Sequence, residues 1–184
     1  TTAAVVNNLT VEAAAALSIN HGGSLIVNGT SIGNISYNRT ITYVADDSRG
    51  WYLVASPIAG ETYDDAWIEA NDIVSGTASN RGIATYDTQI DDWIYYQAGT
   101  DSSPFTSGIG YAIKRGTTSG SVIFTGSINT TDVSAAVISI NNGYNLIGNP
   151  YPAFVNSSSF LTDNTNFLVS ETIWLWNSSS NNYD

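Results

Sequence analysis

Flat aromatic rings can stack on sugar faces and bury their C–H surface without any charge, and this chain holds five tryptophans and eleven tyrosines. Trp67 and Trp93 stand beside aspartates (Asp64 and Asp65, Asp91 and Asp92), as a ring platform at a loop edge would. On a strand Tyr95 shares a face with Trp93, because alternate residues point the same way. Trp67, Trp93, Tyr95, Asp91 and Asp92 are therefore the candidate carbohydrate-binding residues. Trp174 and Trp176 read differently. Ile173 and Leu175 fill the opposite face of their strand, and a strand apolar on both faces belongs inside a sandwich. Trp51 falls in a repeated string and is expected, with Trp176, as a core anchor.

Carboxylates offer a second chemistry. Asp87, Asp91 and Asp92 lie within six residues, and hard oxygen ligands from short acidic loops suit Ca²⁺. A structural calcium is the one cofactor this pattern suggests, although the spacing matches no EF-hand loop. The competing reading makes all three solvated turn residues, since Asp favours turns through local hydrogen bonds.

Catalysis finds little support. Glycosidases need two carboxylates about 5 to 9.5 Å apart, but Glu61, Glu69 and Glu171 sit in no recognisable motif. His21 is the single histidine and lies far from any G-x-S-x-G elbow. No phosphate-binding or dinucleotide fingerprint occurs. Lys114-Arg115 ends an expected strand and reads as a solubilising edge charge. The chain is read as non-catalytic.

Sixteen acidic residues against five basic ones give a formal charge of −11 over 184 residues. Such a surface cannot neutralise a run of phosphates, which argues against nucleic acid and against an anionic membrane surface. No apolar run reaches the ~18 residues of a membrane span. Cysteine and methionine are absent, and only 11% of residues are charged. Val, Ile, Thr and Tyr abound and favour pleated surfaces, with sixteen glycines to supply turns. The expectation is an all-β chain whose solubility comes from hydroxyls, amides and aspartates. A secreted or surface-exposed module fits that composition.

The elements that must position these residues follow from periodicity. Leu9–Val11, Leu17–Ile19 and Leu25–Val27 recur every eight residues. Residues 1–33 are accordingly expected to form a short β-roll or solenoid-like segment, each strand stacking on the next. Val11–Leu17 is read as strand rather than helix, because the alternation continues through it. Ile35, Tyr37, Ile41 and Tyr43 then mark one face of a strand. Asp64–Ala70 predicts a short helix with carboxylates at its favourable end, and Ser158–Leu161 another with a serine cap.

From residue 34 to 184 the chain reads as a jelly-roll-like β-sandwich made of two related units. Gly50–Pro57 aligns with Gly143–Pro150 at an offset of 93, and Ala84–Asp87 with Trp174–Asn177 at an offset of 90. Trp93 likewise matches Tyr183. The units span about 50–140 and 143–184, and the second stops before any counterpart of the strands expected at 109–114 and 121–125. This suggests a fragment, or an edge filled by another segment, with cover from within the chain as the preferred outcome.

The string Gly143-Tyr-Asn-Leu-Ile-Gly-Asn-Pro-Tyr-Pro152 resembles a β-rich module of secreted Bacteroidetes proteins, many of them exported by the type IX route. Gly50–Pro57, Phe105–Lys114, Phe124–Asn129 and Thr172–Asn177 carry the likeness further, over roughly residues 34 to 184. The resemblance implies an extracellular module of a larger precursor, with other domains of that precursor as neighbours. It implies no activity. With the aromatic candidates, the reading is a non-catalytic glycan-binding or adhesive module. The alternative is a structural spacer without ligand, and a third reading is an accessory part of a glycan-degrading enzyme.

Overall fold

Residues 3–100, 102–170 and 172–184 are described by the computed structural model, and Glu171 lies outside them. The chain is all-β. Its first forty residues wind through two coils of a three-faced solenoid. The first coil holds β1 (Ala4–Val6), β2 (Leu9–Thr10) and β3 (Ser18–Asn20); the second holds β4 (Leu25–Val27), β5 (Ser31–Ile32) and β6 (Ile35–Ile41). Pairing is parallel, β1 with β4, β2 with β5 and β3 with β6. This corrects the expected order of stacking, because each strand pairs with the third after it and not with the next. The inward residues Ile19, Leu25, Val27 and Ile35 are buried.

Val11–Leu17 is neither strand nor helix. The register offset is 22 residues at Leu9–Ser31 and 18 at Ser18–Ser36. Four residues of the first coil thus have no counterpart in the second. Without a partner strand, the alternating Val11–Leu17 segment loops out, and its alanines carry too little apolar surface to hold it down.

β6 belongs to two structures at once. It closes the second coil and also pairs antiparallel with β13 (Gly120–Gly126), giving the sheet order β13-β6-β3. Its alternation predicts its burial, with Ile35 and Ile41 inside. A boundary at residues 33 and 34 falls between β5 and β6, within the second coil.

The larger sheet runs β10-β9-β12-β7, built from β7 (Trp51–Val54), β9 (Asn80–Asp87), β10 (Asp92–Gln97) and β12 (Tyr111–Lys114). β8 (Thr62–Tyr63) and β11 (Ser103–Pro104) form a small ribbon between its strands. The two main sheets close on one apolar core in a sandwich-like arrangement. Ile83, Tyr111 and Ile113 come from the larger sheet, Ile35, Ile41, Val122 and Phe124 from the smaller. Helix α1 (Asp65–Ala70) is capped as its sequence predicts, Asp64 accepting from the Trp67 amide at 2.8 Å. Helix α2 (Ser157–Asp163) begins one residue earlier than expected, and Asn156, not a serine, caps it.

The second repeat unit departs from the first. Gly50–Pro57 contains β7, whereas Gly143–Pro150 makes only a single bridge, Ile147 to Ile109. Leu53 pairs with Ala112, while the Leu146 carbonyl accepts from Gly110 at 3.1 Å. The first string therefore lies along β12, and the second along Gly108–Gly110, the stretch that leads into it. Gly148 packs so closely on Ala55 that a Cβ there would overlap it. Pro152 is buried, and its carbonyl accepts from the Leu25 amide at 2.7 Å, tying this string to the solenoid. The chain closes with a ribbon of β14 (Trp176–Asn177) and β15 (Asn182–Tyr183). No helix of the described residues is long and apolar enough to cross a membrane.

Candidate functional site

Register decides which rings of the larger sheet share a face. Trp93 pairs with Tyr86, Tyr95 with Ala84, Ala84 with Ala112, and Ala112 with Leu53. Alternation then puts Trp51, Tyr86, Trp93 and Tyr95 on one face, opposite the core residues Ile83 and Ile113. Ala84 and Ala112 are buried beneath them. The Tyr86 and Trp93 rings meet edge to face at 5.4 Å, and those of Trp51 and Tyr95 at 6.0 Å. All four rings are half-buried. An aromatic row over a small-residue floor is a surface on which a flat, weakly polar ligand can lie.

Trp67 is not part of it. Its ring packs on Phe105 at 5.0 Å and Phe124 at 6.0 Å, against the core between the sheets. Trp67 and Trp93 thus lie on opposite sides of the larger sheet, which overturns a platform shared by the two. The reason is helical geometry. α1 buries Ile68 and turns the neighbouring Trp67 toward the core. Trp51, expected in the core, belongs instead to the outer row. Trp176 lies beside it, half-buried, its indole N–H donating to the Trp51 carbonyl at 2.8 Å. Trp174 is 56% exposed and sits on no central strand.

The aspartates are occupied by their own turn. Asp87 accepts from the Gln89 amide at 2.8 Å, and Asp92 from the Trp93 amide at 2.7 Å. Asp91, at φ 56°, accepts from the Tyr86 hydroxyl and the Asn142 amide. That bond to Asp91 is the main reason the Tyr86 phenol titrates above its ordinary range. Among the described residues no three carboxylate or imidazole side chains gather to hold a metal. Asp87 and Asp92 each accept a bond from within their own turn, and Asp91 accepts one from within the hairpin and one from distant Asn142.

Tyr86 and Asn142 escaped the sequence reading. Tyr86 was legible in principle, since a hairpin closing through Asp87–Asp92 must set it opposite Trp93. Asn142 was not, because only folding brings it to Asp91. Thr88 and Asn141 complete this clamp, the Thr88 hydroxyl donating to the Tyr144 carbonyl at 2.6 Å and Asn141 donating to the Thr88 carbonyl at 3.0 Å. Beside the clamp lies a cleft of about 330 Å³, lined by Thr85, Ile94, Ile109, Ile138, Asn145 and Ile147.

The basic pair corrects another expectation. Lys114 and Arg115 are buried, not edge charges. Lys114 donates to the Asp46 carbonyl and, at 2.7 Å, to the Arg49 carbonyl. Arg115 donates to the carbonyls of Thr118, Asn71 and Ser121 at 2.7 to 3.0 Å. His21 lies exposed beside Arg39, 3.0 Å from its guanidinium. Partial burial and then the Arg39 charge hold its pKa below the ordinary value. Glu61 accepts from the Thr62 and Thr125 amides at 3.0 and 2.6 Å, and Glu69 is exposed.

No curated protein and no solved structure matches the chain. A family model does match it, over residues 1–184, and the chain belongs to that family, described as a domain of unknown function, DUF8693.

Proposed function

We propose that this chain is a non-catalytic, extracellular module that binds glycan on the outer face of its larger sheet. The observation that carries this reading is the row of Trp51, Tyr95, Trp93 and Tyr86 on the face away from the core. The rings meet edge to face in two pairs, so one ring of each pair can lie flat against a sugar, while Asp92 and the Asp91–Asn142 pair border the row with hydrogen-bonding groups. A net charge of −11 favours a neutral or cationic polysaccharide over an anionic one. An extracellular, secreted or surface-attached setting follows from a composition rich in hydroxyls and amides, and from the likeness to secreted Bacteroidetes modules. A calcium ion is not required by this reading.

A structural spacer without ligand is the second reading. The bond from the Trp176 indole to the Trp51 carbonyl favours it, since the terminal ribbon then covers one end of the row. Affinity electrophoresis in gels containing a panel of polysaccharides separates the two. Glycan binding retards the wild-type chain in at least one gel, and Trp93→Ala or Tyr95→Ala restores free mobility. Unretarded migration in every gel supports the spacer.

A further inference from the structure

The two ribbons that end the repeat units are copies of one hairpin, and their likeness extends to single hydrogen bonds. Trp176 pairs with Tyr183 as Tyr86 pairs with Trp93, and Asn177 with Asn182 as Asp87 with Asp92. Asp91 and Asn181, at the same turn position, have φ of 56° and 55°. Asn177 accepts from the Ser179 amide at 3.0 Å as Asp87 accepts from Gln89 at 2.8 Å. Asn182 likewise meets the Tyr183 amide at 2.9 Å, as Asp92 meets Trp93 at 2.7 Å. Both aromatic pairs are edge to face, at 5.4 and 5.0 Å. Tyr183 is therefore the counterpart of Trp93.

The second copy is moored beside the aromatic row. Its Trp176 indole donates to the Trp51 carbonyl at 2.8 Å, and Arg49 donates to the Ser179 carbonyl at 3.1 Å. Both moorings come from the start of β7 or the loop before it. The far end of the second copy is closed by Asn177, which donates to the Asp184 carboxylate at 2.9 Å. Tyr183 reaches back toward the first copy. Tyr86 titrates high chiefly through its bond to Asp91, and the Tyr183 phenol lies near enough to push it the same way. Trp176 thus adjoins the row at Trp51, and Tyr183 adjoins it on the Tyr86 side.

Each pair holds one ring and offers the other. Tyr86 is held by Asp91 and Asn142, and Trp176 by the Trp51 carbonyl. The Trp93 indole N–H and the Tyr183 hydroxyl have no protein partner among the described residues; only their backbone amides meet a side chain. Tyr183 is 46% exposed. Trp93 keeps its place on the outer face although β12 flanks β9, because strands add in the plane of a sheet and side chains stand perpendicular to it.

Resting on the glycan reading, we propose that Tyr183 is a second platform of the same site, equivalent to Trp93, and that the ligand is a chain of several sugars rather than a single sugar. Trp93, the Trp51–Tyr95 pair and Tyr183 offer three stacking places, more than one sugar ring can cover. Asp92 precedes one platform and Asp184 follows the other, so an acidic polymer is repelled at both.

Affinity electrophoresis of the whole chain in gels of hydroxyethyl cellulose, laminarin or glycol chitosan tests this. The wild-type chain is retarded in at least one gel, and Tyr183→Ala raises Kd about fivefold. Tyr183→Phe keeps the ring and binds as wild type. Tyr183→Ile keeps an apolar β-former against Trp176 but has no flat face, so it loses affinity as alanine does. Added glucose or glucosamine, the matching monomer, releases none of the retarded chain, whereas a six-unit oligomer does. Wild-type affinity in Tyr183→Ala or Tyr183→Ile, with Trp93→Ala migrating freely, overturns the second platform and leaves the glycan reading standing. Release by the monomer overturns the polymeric ligand. A wild-type chain unretarded in all these gels overturns both the proposal and the reading beneath it.

Discussion

Arg115 and Asp72 form an ion pair at 3.2 Å, with the arginine side chain 8% exposed and the aspartate 27%. Arg115 stands at the end of β12 and Asp72 just past the end of α1, so the pair joins helix to sheet. Three backbone carbonyls take three of the guanidinium's four remaining donors. Truncating one member of a buried pair leaves the other charge and its partners stranded. Arg115→Ala should therefore lower stability by about 3–5 kcal/mol in urea denaturation. Arg115→Lys should recover only part of this, because an ammonium cannot reproduce the planar fork.

Asp72 also sets part of the response to acid. Burial alone would raise its pKa, but hydrogen bonds from the backbone and hydroxyls of Thr118 and Thr117 outweigh that and hold it below 3.8. Asp46 is lowered as well, chiefly by the hydroxyl and amide of Ser48. A carboxyl depressed in the folded state contributes stability above its unfolded pKa, and that contribution fades as pH falls through the folded value. Stability measured against pH should hardly respond to these two groups above pH ~5 and should fall below pH ~4. Asp72→Asn should flatten that acid limb.

Calcium chelation should leave the melting curve unchanged. The carboxylates of Asp87, Asp91 and Asp92 already accept protein hydrogen bonds and do not converge. A rise in melting temperature on adding Ca²⁺ to chelated protein would show native-state binding, worth about 2.7 kcal/mol at a hundredfold excess over Kd.

The twin turns should respond to glycine with opposite sign. Asn181 has a positive φ and no side-chain hydrogen bond among the described residues, so Asn181→Gly should stabilise by up to about 1 kcal/mol. Asp91→Gly relieves the same backbone strain but loses the bonds to Tyr86 and Asn142, a net loss of about 1 kcal/mol. Thermal unfolding of the two variants, side by side, checks the difference.

Trp67 and Trp93 should likewise part company. Trp67→Ala removes a ring packed on Phe105 and Phe124 and should cost about 3–5 kcal/mol. Trp93→Ala removes a half-exposed ring with one aromatic neighbour, and the cost should stay near 1–2 kcal/mol. Similar losses at both sites would contradict the separation of core and outer row.

Much of the fold was legible because it rests on local physics. The alternation of Ile35 and Ile41, the Asp64 cap of α1 and the Asp-rich turn between β9 and β10 each arise within a few residues. The offset of 90 was legible for the same reason, since a turn that needs a residue tolerating positive φ keeps Asp or Asn there, with its aromatic pair on either side. What lay beyond the sequence was decided by register and by long-range neighbours. No local pattern says that β1 pairs with the third strand after it, since all these short apolar strands would stack equally well on the next. The side of the sheet taken by Trp67 depends on which way α1 docks. Lys114 and Arg115 look like edge charges until the Asp46–Arg49 loop, Asn71 and Ser121 bring their carbonyls around them. Burial of a charge depends on the partners that folding delivers, and those partners lie as many as 68 residues away.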